Sequence, residues 1–215
     1  MSRIYLLPGL GADYRIFQNI DLQGHEVINI SWVEPEKQDT LATFAHKLIK
    51  EFNILPDSIL IGNSLGGMFA IEIAKKIKTD KVILISSIKT IKEAPLSFQL
   101  YKYIPLYHIV LTKLMGAARL IIKLIFGDMP KAEQDLFVSM LQNTSPVFIQ
   151  WAKKAILNWD NETIPPNVYH IHGDKDNVLP HKRIKDVTII KGGTHIMIFD
   201  RAKEINEWLK PILSA

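Results

Sequence analysis

The chain has 215 residues, with 26 Lys+Arg against 22 Asp+Glu, 47% hydrophobic and 22% charged residues, and no cysteine. That length and balance describe one globular domain and exclude an intrinsically disordered chain, which has fewer apolar residues and a larger net charge. The missing cysteines exclude disulfides, thiolate metal sites and a cysteine nucleophile, and the net charge of +4 is too small to argue for nucleic-acid binding.

Short β-branched runs alternate with longer helical patterns, which predicts a parallel sheet with crossover helices. The first strand, 3–7, runs into Pro8-Gly9-Leu10-Gly11. Its apolar run is too short for a signal-peptide core. A second strand is expected over 26–31. Residues 40–52 carry Leu41, Phe44, Ala45, Leu48 and Ile49 at helical spacing. A buried strand over 58–61 leads into a glycine-rich turn, Gly62-Asn63-Ser64-Leu65-Gly66-Gly67, and then a helix over 68–77 with Met68, Ile71 and Ala74 along one stripe. Residues 82–85 are a continuous apolar run, the mark of a strand buried on both faces.

Residues 89–161 change character. They carry no strand signal and at least three helical patterns; Asp128-Met129-Pro130 and Ser145-Pro146 read as helix starts with Pro at the first helical position. The stretch is too short for an independent core, so it reads as a helical insertion. It holds nine basic and five acidic residues, which places the chain's positive excess here. Its longest apolar run, 104–126, is broken by Lys113, Arg119 and Lys123, short of the roughly 18 uncharged residues of a membrane span. No stable membrane insertion is expected, and the absence of cysteine fits a cytoplasmic location. The sheet resumes over 168–171, followed by His172-Gly173-Asp174-Lys175-Asp176. A last strand, 187–190, is followed by Lys191-Gly192-Gly193-Thr194-His195, and a terminal helix over about 202–213 packs Ile205, Trp208 and Leu209, with Pro211 leaving its end open.

Gly62-Asn63-Ser64-Leu65-Gly66 matches G-x-S-x-G between a strand and a helix. A sharp strand-to-helix turn lifts a serine hydroxyl off the sheet edge, and the helix N-terminus adds backbone donors. The plain alternative is a glycine-rich turn with an incidental serine. A serine hydroxyl needs a base. Of seven histidines, His195 follows a strand and two glycines at the edge where open α/β sheets bind ligands. His25, His46, His108, His170 and His181 fall on helix faces, in loops or inside a strand, and His172 stays ambiguous beside the acid loop. The base needs an orienting carboxylate. Asp174 and Asp176 both qualify from the residues alone, although an Asp after Gly also forms turns. The N–H groups of Leu65 and Leu10 are candidate donors to a developing oxyanion; Pro8 has no N–H to give.

Taken together, Leu6-Leu7-Pro8-Gly9-Leu10-Gly11, Leu60-Ile61-Gly62-Asn63-Ser64-Leu65-Gly66-Gly67, His172-Gly173-Asp174-Lys175-Asp176 and Gly192-Gly193-Thr194-His195 resemble the α/β-hydrolase superfamily, particularly its single-domain esterases with a helical cap. The resemblance implies a doubly wound α/β fold with six parallel strands in the order 2-1-3-4-5-6. It aligns the family's acid with Asp176 and makes residues 89–161 a lid above Ser64. It implies a serine hydrolase acting on a small ester or thioester through an acyl-enzyme, with catalytic Ser64, Asp176 and His195, oxyanion donors Leu10 and Leu65, and no metal or organic cofactor. Its partner is then a small-molecule substrate rather than nucleic acid; substrate contacts and oligomeric state stay unassigned. Two departures stand out: Pro8-Gly9 replaces the family's His-Gly, and Asn63 replaces a frequent His before the nucleophile. The two strands that usually precede the oxyanion turn have no counterpart here. Other readings on the same scaffold are a non-catalytic small-molecule binding protein and a lyase or C–C bond hydrolase. A dehalogenase would carry an aspartate where Ser64 stands.

Overall fold

Strands β1 (Arg3–Leu7), β2 (Glu26–Asn29), β3 (Ile59–Asn63), β4 (Lys81–Ile85), β5 (Val168–Gly173) and β6 (Thr188–Ile190) pair in parallel in the order β2-β1-β3-β4-β5-β6. The computed structural model describes residues 2–96, 98 and 130–214. The register places Leu7 beside Gly62, Asn63 beside Ile85 and Gly173 beside Ile190. The chain therefore leaves β1, β3, β4, β5 and β6 at one common edge.

Both faces of this sheet are covered, which is why β3 and β4 are buried at every position and β4 is apolar from Val82 to Ile85. Tyr5 and Leu7 belong to one core, with α1 (Leu41–Glu51) and α2 (Leu65–Ala74) packed over it. Ile4 and Leu6 belong to a second core on the other face, closed by Ile16, Phe17 and the terminal helix α5 (Ala202–Ser214). Thr40 caps α1 in a capping box with Thr43, and α5 buries Ile205 and Leu209 with Trp208 against them. Between β4 and β5 the described residues include α3 (Lys131–Asn143) and α4 (Pro146–Leu157). Ser145 caps α4 by accepting from Phe148 N–H, with Pro146 in the first turn as the sequence suggests; Pro130 is instead the N-cap of α3.

α4 is anchored in the body. Phe148 and Trp151 join Phe44 and Phe69 in an aromatic cluster with ring centroids 4.5 Å apart for Phe44–Trp151 and 5.6 Å for Phe148–Trp151. Each such contact adds about 0.5–1.5 kcal/mol beyond simple burial. Trp151 Nε1 donates to Asp39 O at 2.9 Å, and Trp159 Nε1 to the buried Glu72 at 2.8 Å. The expected helical patterns over 99–129, including the Asp128-Met129 start signal, lie outside the described residues.

Several boundaries differ from the sequence reading. β3 runs through Gly62 and Asn63, and α2 begins at Leu65, so the expected six-residue turn shrinks to Ser64 alone. Glycine disfavours both strand and helix, but here close packing decides. A Cβ on Gly62 would sit 2.4 Å from Gly66 O, and one on Gly66 would sit 1.9 Å from Leu7 O. These positions are glycine because backbones touch there. α2 is buried from Leu65 to Ile73 on all sides instead of along one stripe, since sheet, α1 and the loop after β4 enclose it. β2 stops at Asn29, two residues early, because the chain leaves the sheet edge to stack Trp32 on Phe148 at 5.0 Å. α5 continues through Pro211 to Ser214. Proline breaks only one helical hydrogen bond this near a terminus.

Candidate active site

Ser64 occupies the one-residue corner between β3 and α2 with φ 51° and ψ −118°, a conformation disfavoured for any residue with a Cβ. Such strain persists only where the surroundings over-determine it. Here Ser64 N–H donates to Ile85 O at 3.0 Å, and Ser64 O accepts from Gly67 N–H and from Ser87 Oγ at 2.7 Å. The Ser64 side chain makes no capping bond to α2 and its Oγ lies 2.9 Å from His195 Nε2.

His195 follows the turn after β6. That turn docks against the turn after β5, backbone to backbone: Lys175 N–H donates to Gly193 O at 2.9 Å, and a Cβ on Gly173 would lie 2.1 Å from the same oxygen. The docking brings His195 Nδ1 to 2.7 Å from Asp176 Oδ2. A carboxylate oxygen only accepts, so Nδ1 carries the proton and Nε2 accepts from the Ser64 hydroxyl. Asp176 and His195 are buried and Ser64 partly so. Burial alone would raise the Asp176 carboxyl. The electrostatic pull of the adjacent His195 imidazole and the polar contacts from His172 and His195 outweigh it and hold the group well below the ordinary carboxylate range. Its other oxygen, Oδ1, accepts from Val178 N–H and Leu179 N–H, both at 2.8 Å.

Asp174, the alternative acid, points elsewhere: its Oδ1 accepts from Gly192 N–H at 2.6 Å, bracing the two docked turns. Leu10 lies in the turn after β1, whose Gly9 approaches the serine so closely that a Cβ there would meet Ser64 Cβ at 3.4 Å. Among the described residues, neither the Leu10 nor the Leu65 N–H donates to a protein acceptor. Leu65 directly follows Ser64, and Leu10 directly follows Gly9. His25, His46 and His181 make no hydrogen bond to Ser64, Asp176 or His195, and His108 lies outside the described residues. Reading the sequence missed Ser87, which clamps the Ser64 carbonyl. The only hint was a hydroxyl residue just past the strand neighbouring β3.

His170 sits on the same face of β5 as His172 and is buried; among the described residues neither ring nitrogen has a partner within normal hydrogen-bond geometry, the backbone of Ser87 being the polar group nearby. Burial, then the nearby His172 and Lys89, push its imidazole well below the ordinary value. The unfolded chain takes up a proton near pH 6.5 that the folded chain refuses. Stability should thus be full above that pH and fall as pH drops below it, by up to about 1.4 kcal/mol per pH unit for one such group. Thermal melts should lose Tm more steeply from pH 6.5 to 5 in the wild type than in His170→Leu; parallel slopes would contradict this.

Among the described residues no group of three or more His, Asp or Glu could hold a metal ion, and no helix is long and apolar enough to cross a membrane.

Comparison with known proteins agrees with this architecture. The model of the Alpha/beta hydrolase family matches residues 3–208. An esterase from Exiguobacterium antarcticum superposes with a TM-score of 0.73 at 18% identity, covering 100% of this chain and 92% of its own. A thermophilic esterase from Thermogutta terrifontis gives 0.75 at 12% identity, covering 100% and 90%. A bromoperoxidase from Bacillus anthracis gives 0.72 at 20% identity, covering 100% and 92%. At these identities the likeness is one of fold. No curated protein matches the chain.

Proposed function

The chain belongs to the alpha/beta hydrolase family, and from that premise we propose that it is a carboxylic-ester hydrolase with Ser64 as nucleophile, His195 as general base and Asp176 as the carboxylate that orients the base. Family membership supports a hydrolase role. The observation that carries the finer reading is the unbroken run of hydrogen bonds from Ser64 Oγ through His195 to Asp176, 2.9 Å and then 2.7 Å.

In the proposed reaction His195 Nε2 takes the Ser64 proton as Oγ bonds to the substrate carbonyl carbon. The imidazolium that forms faces the Asp176 carboxylate. The carbonyl oxygen becomes an oxyanion and accepts from the Leu10 and Leu65 N–H groups, donors fixed before the reaction starts. Collapse breaks the carbon–oxygen bond, and His195 returns the proton to the departing alcohol. A water then gives its proton to His195 and attacks the acyl-enzyme; the acid leaves and Ser64 regains its proton. None of these steps calls on a metal or an organic cofactor.

Residues 89–161 are proposed to cap this site within a single domain. The reading is supported by α3, whose Leu141 Cδ1 lies 2.7 Å from where a Cβ on Gly11 would stand, beside the Leu10 donor. α4 would anchor the cap to the body through Phe148 and Trp151. The substrate is proposed to be a small ester or thioester. A series of p-nitrophenyl esters of graded acyl length tests this. Turnover well above buffer is expected on the short members, with kcat/KM falling as the chain lengthens. No turnover on any member would overturn the esterase reading. Stoichiometric probe capture at Ser64 without turnover would favour a binding protein on the same scaffold.

A further inference from the structure

We propose that His172 is a positioning residue: it ties the loop carrying Asp176 to the sheet and so holds the carboxylate where His195 needs it. The proposal rests on reading Ser64, His195 and Asp176 as the catalytic relay.

His172 lies near the end of β5, fully buried. Burying a polar ring this deep costs free energy that a hydrogen-bond partner offsets. Its Nε2 lies 2.7 Å from Leu179 O and 3.1 Å from Asp176 Oδ2. Both neighbours are acceptors, so Nε2 carries a proton. That proton is directed at the nearer Leu179 O, with Asp176 Oδ2 alongside. Among the described residues Nδ1 has no hydrogen-bond partner.

The consequence is a closed ring. Leu179 N–H donates to Asp176 Oδ1 at 2.8 Å, while Leu179 O accepts from His172. The second donor to Oδ1, Val178 N–H, comes from the same loop. Without His172, Oδ1 would be held only by N–H groups of its own loop. With it, the Leu179 donor to Oδ1 is tied to a central strand. The charged and titratable neighbours are few: Asp176 faces His195 and His172, and His172 meets His170 edge-on with ring centroids 5.6 Å apart. Beyond His170 lies Lys89, paired with Glu93 at 3.3 Å. Packing alone would need neither the Nε2 proton nor a partner on the acid's loop.

Three variants separate positioning from packing. His172→Leu removes the donor. His172→Asn places an amide near the Nδ1 position and leaves nothing at Nε2. His172→Gln carries an N–H donor to about the Nε2 position. In p-nitrophenyl acetate hydrolysis, Leu and Asn are expected to lower kcat by about 10- to 100-fold, the scale of a roughly 1 Å misplacement, with KM little changed. Gln should recover most of the loss. In ¹⁵N-edited NMR the wild-type His172 proton should sit on Nε2. The downfield His195 Nδ1–H signal should persist in the wild type and Gln and broaden or move in Leu and Asn. Wild-type kcat in Leu and Asn, an equal loss in all three, or a His172 proton on Nδ1 would overturn the proposal. If the wild type neither hydrolyses esters nor reacts with a serine-directed probe, the functional reading fails by itself. The His195 signal across the variants then decides the positioning claim: an unchanged signal in Leu and Asn rejects it, and a change restored by Gln sustains it.

Discussion

Ser64→Ala is expected to lower turnover of an accepted ester by about 10⁴- to 10⁶-fold while the protein stays folded. The magnitude follows from the proposed role, since without Oγ no acyl-enzyme forms and only oriented binding and the two N–H donors remain. Folding should survive because the hydroxyl makes no capping bond to α2, and the clamps on Ser64 are backbone contacts to Ile85 O and from Ser87 Oγ. A companion variant separates strain from chemistry. With φ at 51° and ψ at −118°, Ser64 occupies a conformation that costs about 1–3 kcal/mol for a residue with a Cβ. Ser64→Gly should relieve part of that and raise Tm while remaining inactive. Thermal melts and kcat for the three proteins check both statements. An Ala variant with wild-type kcat would remove Ser64 from the mechanism.

Gly66→Ala should do the opposite, damaging the fold and the activity together. The added methyl would stand 1.9 Å from Leu7 O and 2.5 Å from Pro8 O. Both are backbone atoms at the end of a central strand, with no flexible side chain to swing aside. Overpacking of a tight interior costs typically 1–3 kcal/mol, and a clash with two backbone oxygens belongs at or beyond the top of that range. The strain also falls on the segment that leads into Leu10, so a surviving folded fraction should have a displaced donor and lower kcat. Urea melts of Gly66→Ala against wild type are the measurement. A midpoint shift near zero would mean that α2 can slide off β1, contrary to the close packing described here.

These two positions also show what the sequence could and could not convey. Alternating strand and helix patterns point to a parallel sheet with crossover helices, and the observed strand order is the one that the family resemblance implies. Local propensity ranks Gly as a breaker, so the glycines around Ser64 read as a broad turn, whereas the structure continues strand and helix through them. The contacts that reverse that preference, Gly62 to Gly66 and Gly66 to Leu7, cannot be seen until α2 is laid on the sheet. The two aspartates after β5 show the same limit. Residue chemistry left Asp174 and Asp176 open, and only the docking of the β5 and β6 turns sends Asp174 to Gly192 and Asp176 to His195. His172 was ambiguous for a related reason: its significance comes from Leu179, which the loop folds back over it.

The central claim is that His195, oriented by Asp176, makes Ser64 a nucleophile. Intact-mass analysis after treatment with a fluorophosphonate tests it most directly. One adduct per chain is expected, mapped by peptide sequencing to Ser64, formed far more slowly in His195→Ala and absent in Ser64→Ala. Labelling at another residue, or an unchanged labelling rate at Ser64 after loss of the imidazole, would contradict the account.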